Sequence, residues 1–184
     1  MSDPKTQSTG LFRQPGLNAQ GVSNHRLQKI LQNRDWSATP LGPTDTWPPA
    51  LTAYAQMILQ GELPAALFWG DSFSVLFNEG WQTLLKDSDP VQFGLLPEQA
   101  FPITWKRLEP LVKHVFSNNA PLNTQVTLPN SDGASPILGD PRNLTLLPVL
   151  LSDGDMGGVY ATFASEPAGA KQQGSSLGKA LHAL

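Results

Sequence analysis

The sequence predicts an α+β fold in which five strands form one antiparallel sheet, helices pack on one face of that sheet, and a helical lead-in precedes it. The first observation is the order of apolar segments: two short strand-like runs lie before a long helical pattern, and three more follow it. The second is the helical pattern itself, because Trp105, Leu108, Val112, Val115 and Phe116 fall on one stripe of a helix. Turn-forming residues separate these segments, so the pattern favours one layered domain.

The composition fits one globular domain with loose ends. The chain has 184 residues, 40% of them hydrophobic, and its 16 glycines and 17 prolines predict many turns. A net charge of −3, with no block of Lys and Arg, gives no electrostatic basis for binding nucleic acid. No apolar run approaches the roughly 20 residues of a membrane span, and the polar N-terminus does not resemble a signal peptide. We therefore expect a cytoplasmic protein with no membrane span.

A disordered arm, residues 1–23, and a helical lead-in, residues 24–62, precede the predicted sheet. The arm has too few apolar residues to offset the entropy of ordering its backbone. The lead-in begins with a helix at residues 24–32, whose apolar face includes Leu27 and Ile30. That helix is expected to pack on the domain or on a second copy of it.

A second lead-in helix is predicted to begin at Pro48 and Pro49, since proline suits the first position of a helix. Gly61 is placed to end this helix in a left-handed conformation. Trp36 and Trp47 either pack against the outside of the sheet or, if exposed, form an interface patch. The apolar stripe of the helix consists of Leu51, Tyr54, Ala55 and Ile58.

The first hairpin follows directly. Residues 65–69 and 72–77 predict two antiparallel strands, with Gly70 and Asp71 as a two-residue turn. Asn78 then suits the N-cap of a short helix. That helix is predicted to turn three apolar residues toward the core: Trp81, Leu84 and Leu85.

The second half contains the long helix and three more strands. A helical turn at residues 96–101 precedes the helix at residues 103–118. The turn residues at 152–158 indicate a hairpin between the last two strands. Residues 63–164 thus form the sheet domain, and the Gly-, Ser- and Gln-rich residues 165–184 form a linker or the start of a further helix. The three strands are predicted at residues 122–128, 142–151 and 159–164.

Two segments resemble a known family. The string DWSATPLGPTDTWPPAL, residues 35–51, resembles the lead-in ahead of the first PAS domain in many bacterial sensor histidine kinases and hybrid signalling proteins. ALFWGDSFSVLFNEGWQTLL, residues 66–85, is similar to the opening hairpin and first helix of the same PAS domains. The likeness covers Asp35 to about Phe163 and is strongest at the front. It implies a PAS fold that senses a small ligand or passes a signal by dimerising, fused to a kinase or similar output.

The resemblance does not extend to catalysis. A kinase of that family has a phospho-accepting His followed by Glu, Leu, Arg, Thr and Pro, whereas His182 is followed by Ala and Leu. We therefore predict that this chain has no enzyme activity of its own, although a longer parent protein could be a histidine kinase.

An aromatic set has two interpretations, which remain open. It lines a pocket for a small apolar ligand, or its rings are simply core. Asn78 likewise serves as a helix cap or as a ligand contact. The candidate ligand-binding residues are Trp69, Phe77, Asn78, Trp81, Trp105 and Val126.

The cofactor is unknown from the sequence. A flavin-adduct photosensor needs a reactive cysteine, and the chain has none. Haem would need an axial ligand, and His114 lies on the long helix but points away from its apolar stripe, so haem is not expected. The three scattered histidines, His25, His114 and His182, predict no metal site.

Two functions follow. The first is a signal-input domain that binds a small ligand, or transmits a signal by dimerisation, to a histidine-kinase-type output. The second is an interaction module that forms a homodimer through the helix at residues 24–32 and the outer face of the sheet, with a filled core and no ligand. The expected partners are a second copy of the chain or an output domain.

Overall fold

A five-stranded antiparallel sheet forms the centre of the fold. The computed structural model describes residue 29 and residues 32–85, 94–128 and 141–164. The strands lie in the order β2-β1-β5-β4-β3, and each neighbouring pair is antiparallel. The predicted α+β class is therefore confirmed. The strands are β1 (Ala65–Trp69), β2 (Ser74–Phe77), β3 (Leu122–Thr127), β4 (Pro141–Leu150) and β5 (Met156–Phe163).

The helices lie where the apolar periodicity predicts them. Pro48 is the N-cap of the first described α-helix and Pro49 its first residue, because the fixed φ of proline suits a helix start. Among the residues that the structure describes, no helix is long and apolar enough to cross a membrane. The helices are α1 (Pro49–Gln60), α2 (Glu79–Leu84), α3 (Pro97–Ala100) and α4 (Pro102–Asn118), and 3-10 turns at Trp36–Ala38 and Thr44–Thr46 precede α1.

Several predictions on the chain ends and one loop lie outside the described residues. They concern the disordered arm at residues 1–23, the linker at residues 165–184, and most of the loop at residues 87–94. Of the helix predicted at residues 24–32, only Lys29 and Gln32 are described, and both are helical. The proposed domain boundaries stay predictions.

Both faces of the sheet are covered, by different helices. Phe68 in β1 stacks on Trp105 of α4, so Phe68 defines the inner face. Its neighbour Leu67 points the other way and pairs with Tyr160, which contacts Tyr54 of α1 at 5.6 Å between ring centroids. The helices between β2 and β3 thus pack on the inner face, and the lead-in helix α1 packs on the outer face over β1, β2 and β5.

The first hairpin is longer than predicted. Trp69 pairs with Ser74, so β2 starts at Ser74 and the connection has four residues, and the predicted two-residue turn is wrong. Gly70 and Phe73 both adopt positive φ, of 67° and 54°. The longer turn lets the Phe73 ring pack against Trp105 and against a second aromatic ring on α4, which offsets the cost of a left-handed phenylalanine.

The end of α1 also differs from the prediction. Gly61 has φ −77° and ψ 143°, an extended conformation, so the predicted left-handed cap is wrong. Its N–H donates to the carbonyls of Met57 and Ile58, which closes the helix without a left-handed residue. Its own carbonyl accepts a hydrogen bond from Asn78, and this bond holds the chain on the extended path into β1.

Strand β5 begins three residues earlier than the predicted residue 159, at Met156. Gly157 and Gly158 therefore belong to the strand and not to the turn, which corrects the assignment of residues 152–158. A register irregularity on β4 at Val149 and Leu150 leaves Gly157 as the extra residue of β5. Both glycines are needed because Trp69 lies over them: an added Cβ would come within 2.7 Å of its ring at Gly157 and 3.0 Å at Gly158.

We expect Gly158→Ala to destabilise the fold strongly. A Cβ at this position would lie 2.4 Å from the carbonyl oxygen of Phe68, in the partner strand, and backbone cannot move aside without breaking the pairing. The expected loss is about 3 kcal/mol of unfolding free energy, measured by urea titration. Gly154→Ala is the control, because its φ of 92° costs about 1–2 kcal/mol but its Cβ meets open space. Equal losses in the two variants would contradict the close approach.

Candidate functional site

An aromatic cluster lies between the inner face of the sheet and helices α2 to α4. All of its rings are at most 2% exposed. Strand alternation supplies the rings from the sheet, and the residues before and within α2 and α4 supply the rest. We call it the inner aromatic cluster, and it consists of Phe68, Phe77, Trp81, Phe101, Trp105 and Phe163.

Phe68 lies at the centre of this cluster. Its ring stacks on Trp105 at 5.3 Å between centroids, with the planes 27° apart. It meets Phe101 edge-on at 6.2 Å and Trp81 edge-on at 6.3 Å. Each geometry is a favourable aromatic arrangement, so the cluster is held by specific ring contacts as well as by burial.

The structure brings together three of the predicted site residues, Phe77, Trp81 and Trp105. Phe101 contacts Phe77 at 6.0 Å and Trp81 at 6.3 Å between ring centroids. Phe68 contacts both Trp81 and Trp105, so it links Trp105 to the other two. Phe68, Phe101 and Phe163 were not among the site residues predicted from the sequence. Strand β1 is apolar at every position because both faces are covered, so alternation could not mark Phe68 as inward-facing.

Asn78 is a fully buried cap with every hydrogen-bonding position used. Its Oδ1 accepts from the backbone N–H of Trp81 at 2.9 Å and of Ala65 at 3.0 Å. Its Nδ2 donates to the carbonyls of Gly61 at 3.1 Å and Leu63 at 2.6 Å. The predicted capping role is thus confirmed, and the side chain has no free donor or acceptor for a ligand.

The other two candidates lie away from these rings. Trp69 is on the outer face, opposite Gly158, and its ring covers the two glycines of β5. Val126 is half-buried on β3 at the edge of the sheet, opposite Arg142, and packs against the rim of the core. Neither residue contributes a ring or a polar atom to the inner aromatic cluster.

The two tryptophans of the cluster differ in their polar atoms. Trp105 donates its Nε1–H to the carboxylate of Glu98 on α3, at 3.0 Å. Trp81 is fully buried, and its Nε1 has no hydrogen-bond partner. An unsatisfied indole N–H inside a protein is costly. Helix α2 also carries Glu79, whose Oε2 is likewise buried without a hydrogen-bond partner.

The lead-in contributes a second aromatic contact. Trp36 and Trp47 are buried and meet edge-on at 5.0 Å, so they do not form an exposed patch. The guanidinium of Arg34 lies 5.8 Å above the Trp36 ring, and its partial burial lowers the pKa of Arg34 through desolvation.

The described residues offer no cluster of metal ligands. Within residue 29 and residues 32–85, 94–128 and 141–164, no group of three His, Asp or Glu side chains converges. His114 is exposed on α4, and Asn118 donates a hydrogen bond to its carbonyl.

No family model and no curated protein matches the chain. Several solved structures are similar to it. One is a sensory box sensor histidine kinase from Vibrio cholerae, with 13% identity and a TM-score of 0.42, covering 62% of this chain and 87% of that one. A PAS domain from Colwellia psychrerythraea has 14% identity and a TM-score of 0.42, covering 63% and 96%. The VqmA dimer of Vibrio cholerae has 12% identity and a TM-score of 0.48, covering 62% and 51%.

The fold is of the PAS type, as the segments at residues 35–51 and 66–85 predicted. The sheet order β2-β1-β5-β4-β3 places β1 and β5, the first and last strands in the sequence, side by side. The helices that connect β2 to β3 lie on one face of this sheet and enclose the inner aromatic cluster. This arrangement is the α+β architecture that the sequence predicted.

Proposed function

We propose that the chain is a signal-input domain that takes a small ligand into the inner aromatic cluster, or changes its dimer contacts, and passes the change to a histidine-kinase-type output. The observation that carries this proposal is the construction of the cluster, whose rings come from strands β1, β2 and β5 and from the segments of α2, α3 and α4. A molecule among these rings would contact almost every element of the inner layer. Ligand pockets in proteins are typically lined by such aromatic groups.

The cluster also accounts for how a bound molecule would act on the rest of the domain. Trp81 lies on α2, whose first turn is capped by Asn78. The same Asn78 side chain holds Gly61 and Leu63, which follow lead-in helix α1. A displacement of α2 would therefore reach the lead-in through hydrogen bonds of one residue.

A second function, an interaction module that dimerises without a ligand, is favoured by the outer face. Helix α1 covers β1, β2 and β5, and the outward positions of β3, β4 and the adjacent part of β5 carry no charged side chain. Leu147 is 37% exposed there, beside the half-buried Tyr160. Depletion of charge is typical of interface centres. The outward residues include Asn123, Gln125, Asn143, Thr145, Leu147, Tyr160 and Thr162.

Native mass spectrometry and sedimentation of the purified chain distinguish the two functions. For a ligand-responsive domain we expect a retained small molecule, or a thermal shift with small aromatic compounds, in the monomer-sized species. The contact-only module predicts no such ligand and a concentration-dependent dimer that Leu147→Asp disrupts, because a carboxylate would then be buried between two copies. That second pattern would overturn the ligand-binding proposal.

A further inference from the structure

We propose that the Nε1–H of Trp81 is the hydrogen-bond donor that holds the ligand, and that the ligand is an uncharged, flat, mainly apolar molecule with one exposed acceptor such as a carbonyl oxygen. This inference rests on the proposed function and names the chemistry of the same site. Trp81 is 0% exposed, and its Nε1 lacks a partner. Buried indole N–H groups ordinarily find an acceptor, so the absence of one here points to a group that binds at this position.

Other tryptophans of the same chain show that the fold supplies acceptors elsewhere. Trp105 donates to Glu98 Oε1 at 3.0 Å, and Trp47 donates to the carbonyl of Gly42 at 3.0 Å. Both acceptors lie within a few residues in sequence, on the adjoining turn or helix. Trp81 instead lies on a short helix, and the rings that contact it carry no acceptor atom. These rings therefore offer its Nε1–H no hydrogen-bond partner.

The surroundings of Trp81 define the class of ligand. The rings in contact with it are Phe163 at 5.0 Å, Phe68 at 6.3 Å and Phe101 at 6.3 Å. These rings offer flat apolar surfaces and no charged or acceptor atom, so an ionised ligand would lose its hydration without compensation. The backbone N–H of Trp81 is already bonded to Asn78, which leaves the indole as the one donor of this residue.

A buried water molecule is a poorer partner for this donor. Internal waters typically make about three hydrogen bonds to polar groups. The three phenylalanine rings around Trp81 supply none of them. A ligand with an apolar body meets the rings and needs only the single donor.

The test uses two probes of the same shape, acetophenone and α-methylstyrene. Acetophenone has a carbonyl oxygen where α-methylstyrene has a methylene group. We expect the wild-type chain to bind acetophenone about tenfold more tightly, by calorimetry or tryptophan fluorescence, because only acetophenone accepts from Nε1. Benzoate, the charged counterpart, should not bind. Trp81→Phe keeps an aromatic ring and removes the N–H, so it should bind the two neutral probes equally.

Trp105→Phe is the matched control, because it removes an N–H that is already bonded to Glu98. It should keep the preference for acetophenone and should lower the Tm of the unliganded protein more than Trp81→Phe does. An unchanged preference in Trp81→Phe, or an equal loss of Tm in both variants, would overturn the role of Trp81 while leaving ligand binding intact. If neither neutral probe binds the wild type, the ligand-binding form of the proposed function fails, and only the signal through dimer contacts remains.

Discussion

Asn78→Ala is expected to remove about 3–5 kcal/mol of unfolding free energy, a large part of the stability of a domain of this size. The side chain is fully buried and makes four hydrogen bonds. Its removal leaves the N–H groups of Ala65 and Trp81 and the carbonyls of Gly61 and Leu63 without these partners. Each buried group left unpaired costs about 1–3 kcal/mol, and the lost helix cap is part of the same sum. Urea unfolding with an unchanged m-value measures the effect.

The control for this variant is Asn123→Ala. Asn123 is exposed on edge strand β3 and accepts one hydrogen bond, from Thr145, so its loss should change stability by less than about 0.5 kcal/mol. Asn78→Asp separates the two halves of the clamp, because a carboxylate keeps the accepted bonds and loses the two donated ones. If Asn78→Ala were as mild as Asn123→Ala, the junction of α1, β1 and α2 would not depend on this residue.

The local part of this junction was predictable and the long-range part was not. An asparagine directly before a helical pattern indicates an N-cap, and Asn78 is one. Its bonds to Gly61, Leu63 and Ala65 span 13 to 17 residues in sequence, and they depend on how the lead-in enters the sheet. For the same reason the left-handed cap predicted at Gly61 was wrong: a tertiary hydrogen bond fixed its conformation in place of helix-end propensity.

The order and type of the helices and strands could be predicted from local periodicity. The face of the sheet on which each strand residue lies could not. Strand β1 is apolar at every position because α1 covers the outer face and α4 the inner face. Trp69 could therefore be grouped with Trp105 in the sequence, although the two lie on opposite faces. The clue that was present is the pair Gly157 and Gly158, since glycines inside a strand indicate a large side chain or backbone lying close above them.

Phe68→Ala is the second variant with a large expected effect. Phe68 is fully buried in β1, next to the middle of the sheet, and its ring contacts Trp81, Phe101 and Trp105. Truncating a buried phenylalanine costs about 3–5 kcal/mol of unfolding free energy. Each aromatic ring pair contributes about 0.5–1.5 kcal/mol beyond its area burial, and Phe68 loses three such pairs. We therefore expect a loss near the upper end, measured by urea unfolding.

Phe116→Ala provides the comparison for Phe68. Phe116 lies on α4, is half-buried, and contacts Phe73 at 5.2 Å outside the inner aromatic cluster, so its truncation should cost only about 1 kcal/mol. A dry cavity left by Phe68→Ala should also admit benzene, which would raise the Tm of that variant and not of Phe116→Ala. Similar losses in the two variants, with no response to benzene, would mean that the rings around Phe68 repack freely. Such a core could not hold a flat ligand against Trp81 in a fixed orientation, so this pair of variants also tests whether the cluster is rigid enough to act as a site.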